Sequence, residues 1–285
     1  MRKLTRSLMA PVAIIASVCY IGQASAAVIT AWNFENPPDP IAVNNSPAPT
    51  TGVGTASSIG MNIYPTPNVG VTACDVTQGV AGDTGTNGNA NLSQIWRVRA
   101  QAGPNGAANG WSSLAPIGTQ GAVFAASTVG FAGPITVSYD WYATNQGEAK
   151  QQLQYTDDGV NWNNVPIALN ASDVGLLALN NAISPNTVNG FYVAIQGGGQ
   201  DWFPGLAATI TDPKAAGNAN FAIRMVNAST DGDNVSALGT PLNNNSGNWR
   251  FDNVTIGVAV PEPSTIALAG LALVGLAAYR MRRQS

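Results

Sequence analysis

The chain of 285 residues contains no histidine, and only 9% of its residues are charged. Without histidine it cannot form Ser-His-Asp or Cys-His catalytic groups or histidine-based zinc sites. Between residues 27 and 260 we count six Lys and Arg against 14 Asp and Glu, a net charge of −8. Such a domain is a poor candidate for binding nucleic acid, which is recognised by clustered positive charge.

A secretory signal peptide is predicted at residues 1–26. Three Lys and Arg residues precede an apolar run from Leu8 to Gly22, and small residues follow it. Ala24, Ala26 and Ala27 frame the expected cleavage site, because signal peptidase cuts after an A-x-A pattern. The alternative is a lasting anchor, but this run is short for a membrane span. We therefore expect export by the Sec machinery and cleavage by signal peptidase.

Strand patterns fill the region 27–258, where turns rich in Gly, Asn, Pro and Asp separate short apolar runs. The clearest run is Ile135–Tyr142, in which apolar and polar residues alternate as on a strand with one buried face. Phe251 and Val254 are out of phase in the last run, which predicts either a bulge or two covered faces. The predicted strands are 28–34, 93–99, 122–126, 135–142, 151–155, 191–196, 206–210, 221–227 and 249–258.

Many short strands without alternating helices indicate an all-β fold, an antiparallel β-sandwich of jelly-roll type. Ala171–Asn181 is the one stretch of this region with the leucine spacing of a short helix. Pro37–Asn91 lacks a periodic pattern, so we expect long loops with a few short strands there. Cys74 is the only cysteine left after signal removal, which excludes an internal disulfide and indicates a small buried side chain.

One turn sequence has a recognisable spacing. Asp157, Gly159 and Trp162 are spaced as in an Asp-box hairpin, with Tyr155 where that motif has serine. The Asp-Gly pair suits a tight turn, and we expect the tryptophan to pack beneath it. The alternative is a plain turn, and in either case the role is structural.

Residues 259–285 form a tail of three ordered elements. The first is the segment Pro261, Glu262, Pro263, Ser264 and Thr265, extended because proline fixes φ and removes amide donors. The second is an uncharged transmembrane helix predicted at 265–279, about 22 Å long against a bilayer core of about 30 Å. The third is the basic end 280–283, with Arg280, Arg282 and Arg283. By the positive-inside rule it leaves the preceding domain outside the cytoplasm.

These three elements resemble the PEP-CTERM sorting tail of Gram-negative bacteria, which is also labelled an ice-binding-protein C-terminal domain. The resemblance implies that an exosortase-type enzyme recognises Pro-Glu-Pro, cleaves near it, and releases or transfers the domain. The protein would pass through the inner membrane, held by its C-terminal helix, to the cell surface or the medium. The alternative is a plain single-pass anchor. Segments 136–141, 153–159, 220–226 and 249–254 are similar to the β-rich ectodomains common in that family.

Two features of the predicted domain are candidates for binding. Glu35 follows the first strand and Asp252 lies in the last, which resembles the terminal strands of carbohydrate-binding jelly rolls, where carboxylates bind a structural Ca²⁺. The alternative is that both acids are solvated strand ends. Trp202 and Phe203 lie in a predicted loop and are candidates for stacking on sugar rings, with buried packing as the alternative.

The sequence favours a non-catalytic surface or extracellular-matrix protein associated with exopolysaccharide or biofilm. The alternative is an extracellular glycan hydrolase, which would need two carboxylates across a cleft. Asp140 with Glu148 or Asp201 would be its candidate pair, although nothing else in the sequence singles them out. We therefore expect no catalytic residue, and no cofactor other than the proposed structural Ca²⁺.

Overall fold

The structure is a computed structural model, and it describes residues 26–35, 46–61, 74–78, 94–99, 110–168, 177–180, 190–193, 202–242 and 247–260. Within these ranges the chain forms thirteen strands and two turns of 3₁₀ helix, Pro213–Ala215 and Asp231–Asp233. The strands are β1 (Ala26–Trp32), β2 (Thr55–Ile59), β3 (Asp75–Gln78), β4 (Gln94–Val98), β5 (Gly121–Ala125), β6 (Ile135–Ala143), β7 (Lys150–Thr156), β8 (Asn163–Val165), β9 (Leu177–Asn180), β10 (Gly190–Val193), β11 (Trp202–Ile210), β12 (Ala222–Asn227) and β13 (Trp249–Ala259).

The strands form two antiparallel sheets packed as a sandwich. The first sheet has the order β11-β6-β13-β4-β3, with β1 also paired to β13. The second has the order β2-β5-β12-β7-β10-β9, with β8 also paired to β7. From β5 to β7 and again from β11 to β13, consecutive strands alternate between the two sheets, as in a jelly roll. The predicted all-β sandwich is confirmed.

Every predicted strand has a counterpart in the structure, and one predicted element is wrong. The short helix expected at Ala171–Asn181 is replaced, in its described part, by strand β9 at Leu177–Asn180. A short apolar run is compatible with either a helix or a strand, so its structure depends on whether a neighbouring strand is available for pairing. Here the backbone of β10 lies alongside, and Gly190 pairs with Asn180. The stretch 37–91, expected to be mostly loop, contributes β2 and β3 among its described residues.

Aromatic rings join the two sheets at the centre of the core. Phe124 of the second sheet contacts Trp96 and Trp32 of the first, with ring centroids 5.6 and 5.1 Å apart. Phe251 packs against both Trp96 and Phe124. All four rings are fully buried. Aromatic side chains bury large apolar surfaces, so this cluster holds the sheets together.

The two ends of the described domain lie side by side. Strand β1 runs antiparallel to the C-terminal part of β13, and Ala26 pairs with Ala259. Residues Ala26–Ala259 form one compact unit. The predicted signal peptide and its Ala24 lie outside the described residues, as do the sorting segment and the predicted membrane helix. Among the residues described, no helix has the length and hydropathy needed to cross a bilayer.

Candidate functional site

An open groove lies on the outer face of the second sheet. Its floor is a row of four short side chains that neighbouring strands place side by side: Thr55 of β2, Ala125 of β5, Ala222 of β12 and Thr156 of β7. Because these side chains are short, they leave a depression in the surface of the sheet. The groove has a volume of about 710 Å³, within the range of small-molecule binding sites.

The hairpin between β7 and β8 brings Trp162 to this groove. The Thr156 hydroxyl accepts the amide of Gly159 (2.9 Å), and Gly159 takes a positive φ of 75° that glycine adopts without strain. The Asp158 carboxylate accepts the amides of Val160 (2.8 Å) and Asn161 (2.7 Å). These bonds lower the pKa of Asp158 below its ordinary value. The turn is therefore organised by Asp158, whereas the Asp-box spacing pointed to Asp157.

Trp162 lines the groove together with Gly159 of the turn. Its ring is partly exposed, and the Arg224 guanidinium carbon lies over it, 4.2 Å from the ring centroid. Arg224 Nε donates to Gln154 Oε1 (2.7 Å), and Gln154 Nε2 donates to Asn164 Oδ1 (2.7 Å). Strand register explains this chain of contacts, because Arg224 lies opposite Gln154 and Gln154 opposite Asn164.

Arg224 remains a cation at neutral pH. Partial burial lowers its pKa to about 10, which leaves it protonated at pH 7. No ion pair joins it to a carboxylate in the described part of the chain. The positive charge of Arg224 is stabilised by two neutral groups, the Trp162 ring and the Gln154 amide oxygen. A cation over the face of a tryptophan stabilises that ring position.

Trp202 and Phe203 do not form the stacking surface predicted from the sequence. Trp202 is 8% exposed and packs on Tyr142, with centroids 5.4 Å apart. Phe203 is 3% exposed and stacks on Trp141. Both belong to β11, which pairs with β6, so the predicted loop is in fact a strand with two covered faces. Rings in these positions have no open face for a sugar.

The structure brings Asp252 opposite Asp140. Asp252 and Asp140 are register partners of β13 and β6, and both are buried. The Asn253 side chain donates to Asp140 (2.8 Å) and to Asp252 (3.4 Å). Asn253 has a positive φ of 50°, and the register shifts after Asp252, so the predicted bulge is confirmed. The Glu35 Oε1 atom is buried, and no described residue donates a hydrogen bond to it.

Asp140 is engaged by hydrogen bonds from neighbouring groups. The oxygens of Asp140 accept the Gly205 amide (2.6 Å) as well as Asn253. Within the described ranges, no group of three or more acidic or cysteine side chains lies close enough to hold a metal ion. Ca²⁺ prefers six to eight oxygen ligands, which this pair of acids does not supply. Binding of Ca²⁺ by Glu35 and Asp252 stays a prediction.

Asp140 and Glu148, the described residues considered for hydrolysis, are not among the residues that line the groove. Glu148 is fully buried, and its Oε1 accepts the amide of Lys150 (2.8 Å). Burial raises the pKa of Glu148 well above its ordinary value. Asp140 lies at the bulge, and Asp201 lies outside the described residues. Among the described residues, none that lines the groove is a carboxylate.

Cys74 is buried, as predicted. Its thiol donates to the Arg99 carbonyl (3.4 Å), and burial raises its pKa. A buried, protonated thiol is a weak nucleophile.

The predicted processing residues fall at the edges of the described chain. Ala26 and Ala27 begin β1 and are exposed. The sorting segment from Pro261 to Thr265 and the basic residues Arg280, Arg282 and Arg283 lie outside the described residues. Their assignment therefore rests on sequence comparison.

The fold defines the region from Ala26 to Ala259 as an antiparallel β-sandwich domain. Residues 259–283 match the family model of the PEP-CTERM protein-sorting motif, so the chain carries a PEP-CTERM sorting tail, as predicted. No curated protein matches the chain at a significant level.

The chain is similar to several solved structures, including two that contain a CBM22-1 domain. The CBM22-1 xylan-binding domain from Paenibacillus barcinonensis Xyn10C has 9% identity and a TM-score of 0.37, over 85% of this chain and 100% of that one. The CBM22-1-GH10 modules of Clostridium thermocellum xylanase 10B have 13% identity and a TM-score of 0.33, over 83% of this chain and 29% of that one.

Proposed function

We propose that this protein is a non-catalytic surface or extracellular-matrix protein that an exosortase-type enzyme sorts through its tail, and that its β-sandwich associates with exopolysaccharide. The observation that carries the proposal is the PEP-CTERM motif at residues 259–283, placed directly after the last strand of the sandwich. In this proposal the tail sets the destination, and the sandwich contacts the matrix.

Two properties of the domain support the extracellular part of this proposal. It has few charged residues and many turns rich in Gly and Asn, which is typical of weakly charged β-domains. Its ends are adjacent, since Ala26 pairs with Ala259. The described domain therefore begins and ends at the same end of the β1–β13 ladder.

The sorting step is tested by changing the motif while leaving the domain alone. We expect Pro261→Ala combined with Glu262→Ala to leave the tail uncut and to keep the chain in the membrane fraction. Both changes remove groups that a processing enzyme would recognise, and both fall after the compact unit Ala26–Ala259 in the sequence. The measurement is fractionation with mass spectrometry of the C-terminus, in a bacterium with an exosortase-type enzyme and in one without it.

Gln284→Ala is the matched control, because it lies in the tail but beyond the matched residues 259–283. We expect this variant to be processed like the wild type. Equal release of the double variant and the wild type would show that Pro-Glu-Pro is not the sorting signal.

Calcium binding is proposed as a separate property of the domain. If Glu35 and Asp252 hold Ca²⁺, adding the ion to chelator-treated protein raises the melting temperature, and saturation at a hundred times Kd adds about 2.7 kcal/mol of stability. Asp252→Asn should abolish the effect, and Mg²⁺ serves as the ion control, since it demands a smaller octahedral site. The same melting temperature with and without Ca²⁺ would contradict the proposal.

A further inference from the structure

The groove on the outer face of the second sheet has the features of a binding site for a sugar chain. We infer that it binds a neutral polysaccharide, with Trp162 as the stacking surface and Arg224 as the residue that holds its ring in place. This inference rests on the proposed function, because it names the site and the ligand class of the exopolysaccharide association. Three observations carry it, and they concern the tryptophans, the lining and the support of the ring.

The first observation is the exposure of the tryptophans. All seven lie in the described ranges, and six of them are between 0% and 8% exposed. Trp162 alone is partly exposed, and it lines the groove. A partly exposed tryptophan offers a flat apolar surface, which suits the apolar face of a pyranose ring.

The second observation is the chemistry of the lining. Among the described residues, those that line the groove carry no charge. Apolar surface is combined with hydroxyl and amide groups, including the Thr55 hydroxyl and the Asn220 side chain. The cation beside the groove, Arg224, is engaged with the Trp162 ring and Gln154, so the lining itself offers an ionised ligand no partner to offset its desolvation. The domain also carries a net charge of −8 between residues 27 and 260, which repels a polyanion. A neutral sugar chain is the ligand that fits.

The third observation is that the ring is held before any ligand arrives. Arg224 covers one face of Trp162 at 4.2 Å, so the ring offers the groove its opposite face or its edge. Arg224 is held in turn by Gln154, which is tied to Asn164. A ring that is already positioned loses little entropy on binding. Arg224 acts here through Trp162 and is a positioning residue.

The test uses the purified protein, with galactomannan and dextran as neutral probes and alginate as the anionic probe. We expect affinity electrophoresis to show retardation by at least one neutral polymer and none by alginate. Trp162→Ala should weaken this binding at least tenfold, as for an aromatic side chain at the centre of an interface. Val160→Ala is the matched control, because Val160 lies in the same turn, is 75% exposed and does not line the groove.

Arg224→Gln and Arg224→Lys separate a positioning role from a purely structural one. Arg224→Gln should weaken binding several-fold and increase acrylamide quenching of tryptophan fluorescence in the free protein. Arg224→Lys keeps a positive charge over the ring. It should therefore retain most of the binding and most of the protection of the ring from acrylamide. If both variants bind like the wild type, the positioning role of Arg224 is wrong.

The outcomes separate this inference from the proposed function. Binding of a neutral polymer that Trp162→Ala leaves unchanged would overturn the groove as the site while leaving glycan association intact. Retardation by alginate alone would overturn the neutral ligand class. If the wild type binds neither kind of polymer, both the site and the glycan association fail. The sorting step would still be judged by the motif variants.

Discussion

Replacing Trp96 with alanine is expected to lower the free energy of unfolding by about 3–5 kcal/mol, the usual cost of removing a buried aromatic ring. Trp96 is fully buried in β4 of the first sheet. Its ring contacts Phe124 of the second sheet, Phe34 just after β1, and Phe251 of the first sheet, with centroids 5.6, 6.2 and 6.4 Å apart. The lost ring would leave a cavity between the sheets, which the flanking strands cannot close without breaking their ladders.

Urea unfolding of the wild type and the variant measures this loss. Trp162→Ala is the matched control, since it removes the same ring from a partly exposed position. We expect that control to cost much less than the core variant. Equal losses for the two variants would contradict the placement of Trp96 between the sheets.

The second large effect concerns pH and the buried carboxyl of Glu148. Burial raises its pKa well above the ordinary 4.5, so the folded state holds this proton more tightly than the unfolded state. Well below pH 4.5, Glu148 is protonated in both the folded and the unfolded state, so it adds no pH dependence to the stability. As the pH rises from 4.5 towards the folded-state pKa, the unfolded state ionises first and stability falls. Glu148→Gln should remove this fall and stabilise the protein at pH 8.

Urea unfolding at pH 4, 6 and 8 checks this prediction. The Lys150 amide donates to Glu148 Oε1 in the wild type, and the side-chain oxygen of glutamine can accept the same hydrogen bond. Asp158→Asn provides the control of opposite sign. The pKa of Asp158 is lowered, so its contribution is present above the ordinary pKa and is lost as the pH falls. Identical pH profiles for wild type and Glu148→Gln would contradict the raised pKa.

Strand positions could be predicted because alternation of apolar and polar residues is a local property. Ile135–Tyr142 was recognised in this way and forms β6 at Ile135–Ala143. The out-of-phase Phe251 and Val254 predict either a bulge or two covered faces, and the register shift after Asp252 favours the bulge. The helix expected at 171–181 failed because its leucines suit either structure. The partner strand β10 decided between them.

The candidate groove could not be predicted, because its members come from distant parts of the sequence. Thr55, Ala125, Ala222 and Thr156 are brought together only by strand register. Trp162 was interpreted as packing under its turn. One sequence signal for an exposed Trp162 is the Asp158-Gly159 turn shortly before it, because a residue close to a hairpin turn lies near the end of its strand. Nothing in the sequence pointed to Arg224 as its partner.

By itself, the sequence determined the sorting tail, the absence of histidine chemistry and the all-β class. These depend on short linear motifs, on composition and on local periodicity, which need no tertiary contacts to be read. Only the tertiary structure decided which aromatic side chains are exposed and which carboxylates meet. Exposure depends on what other segments cover, so Trp202 and Phe203 are buried while Trp162 stays partly open. Asp252 meets Asp140 because β13 pairs with β6.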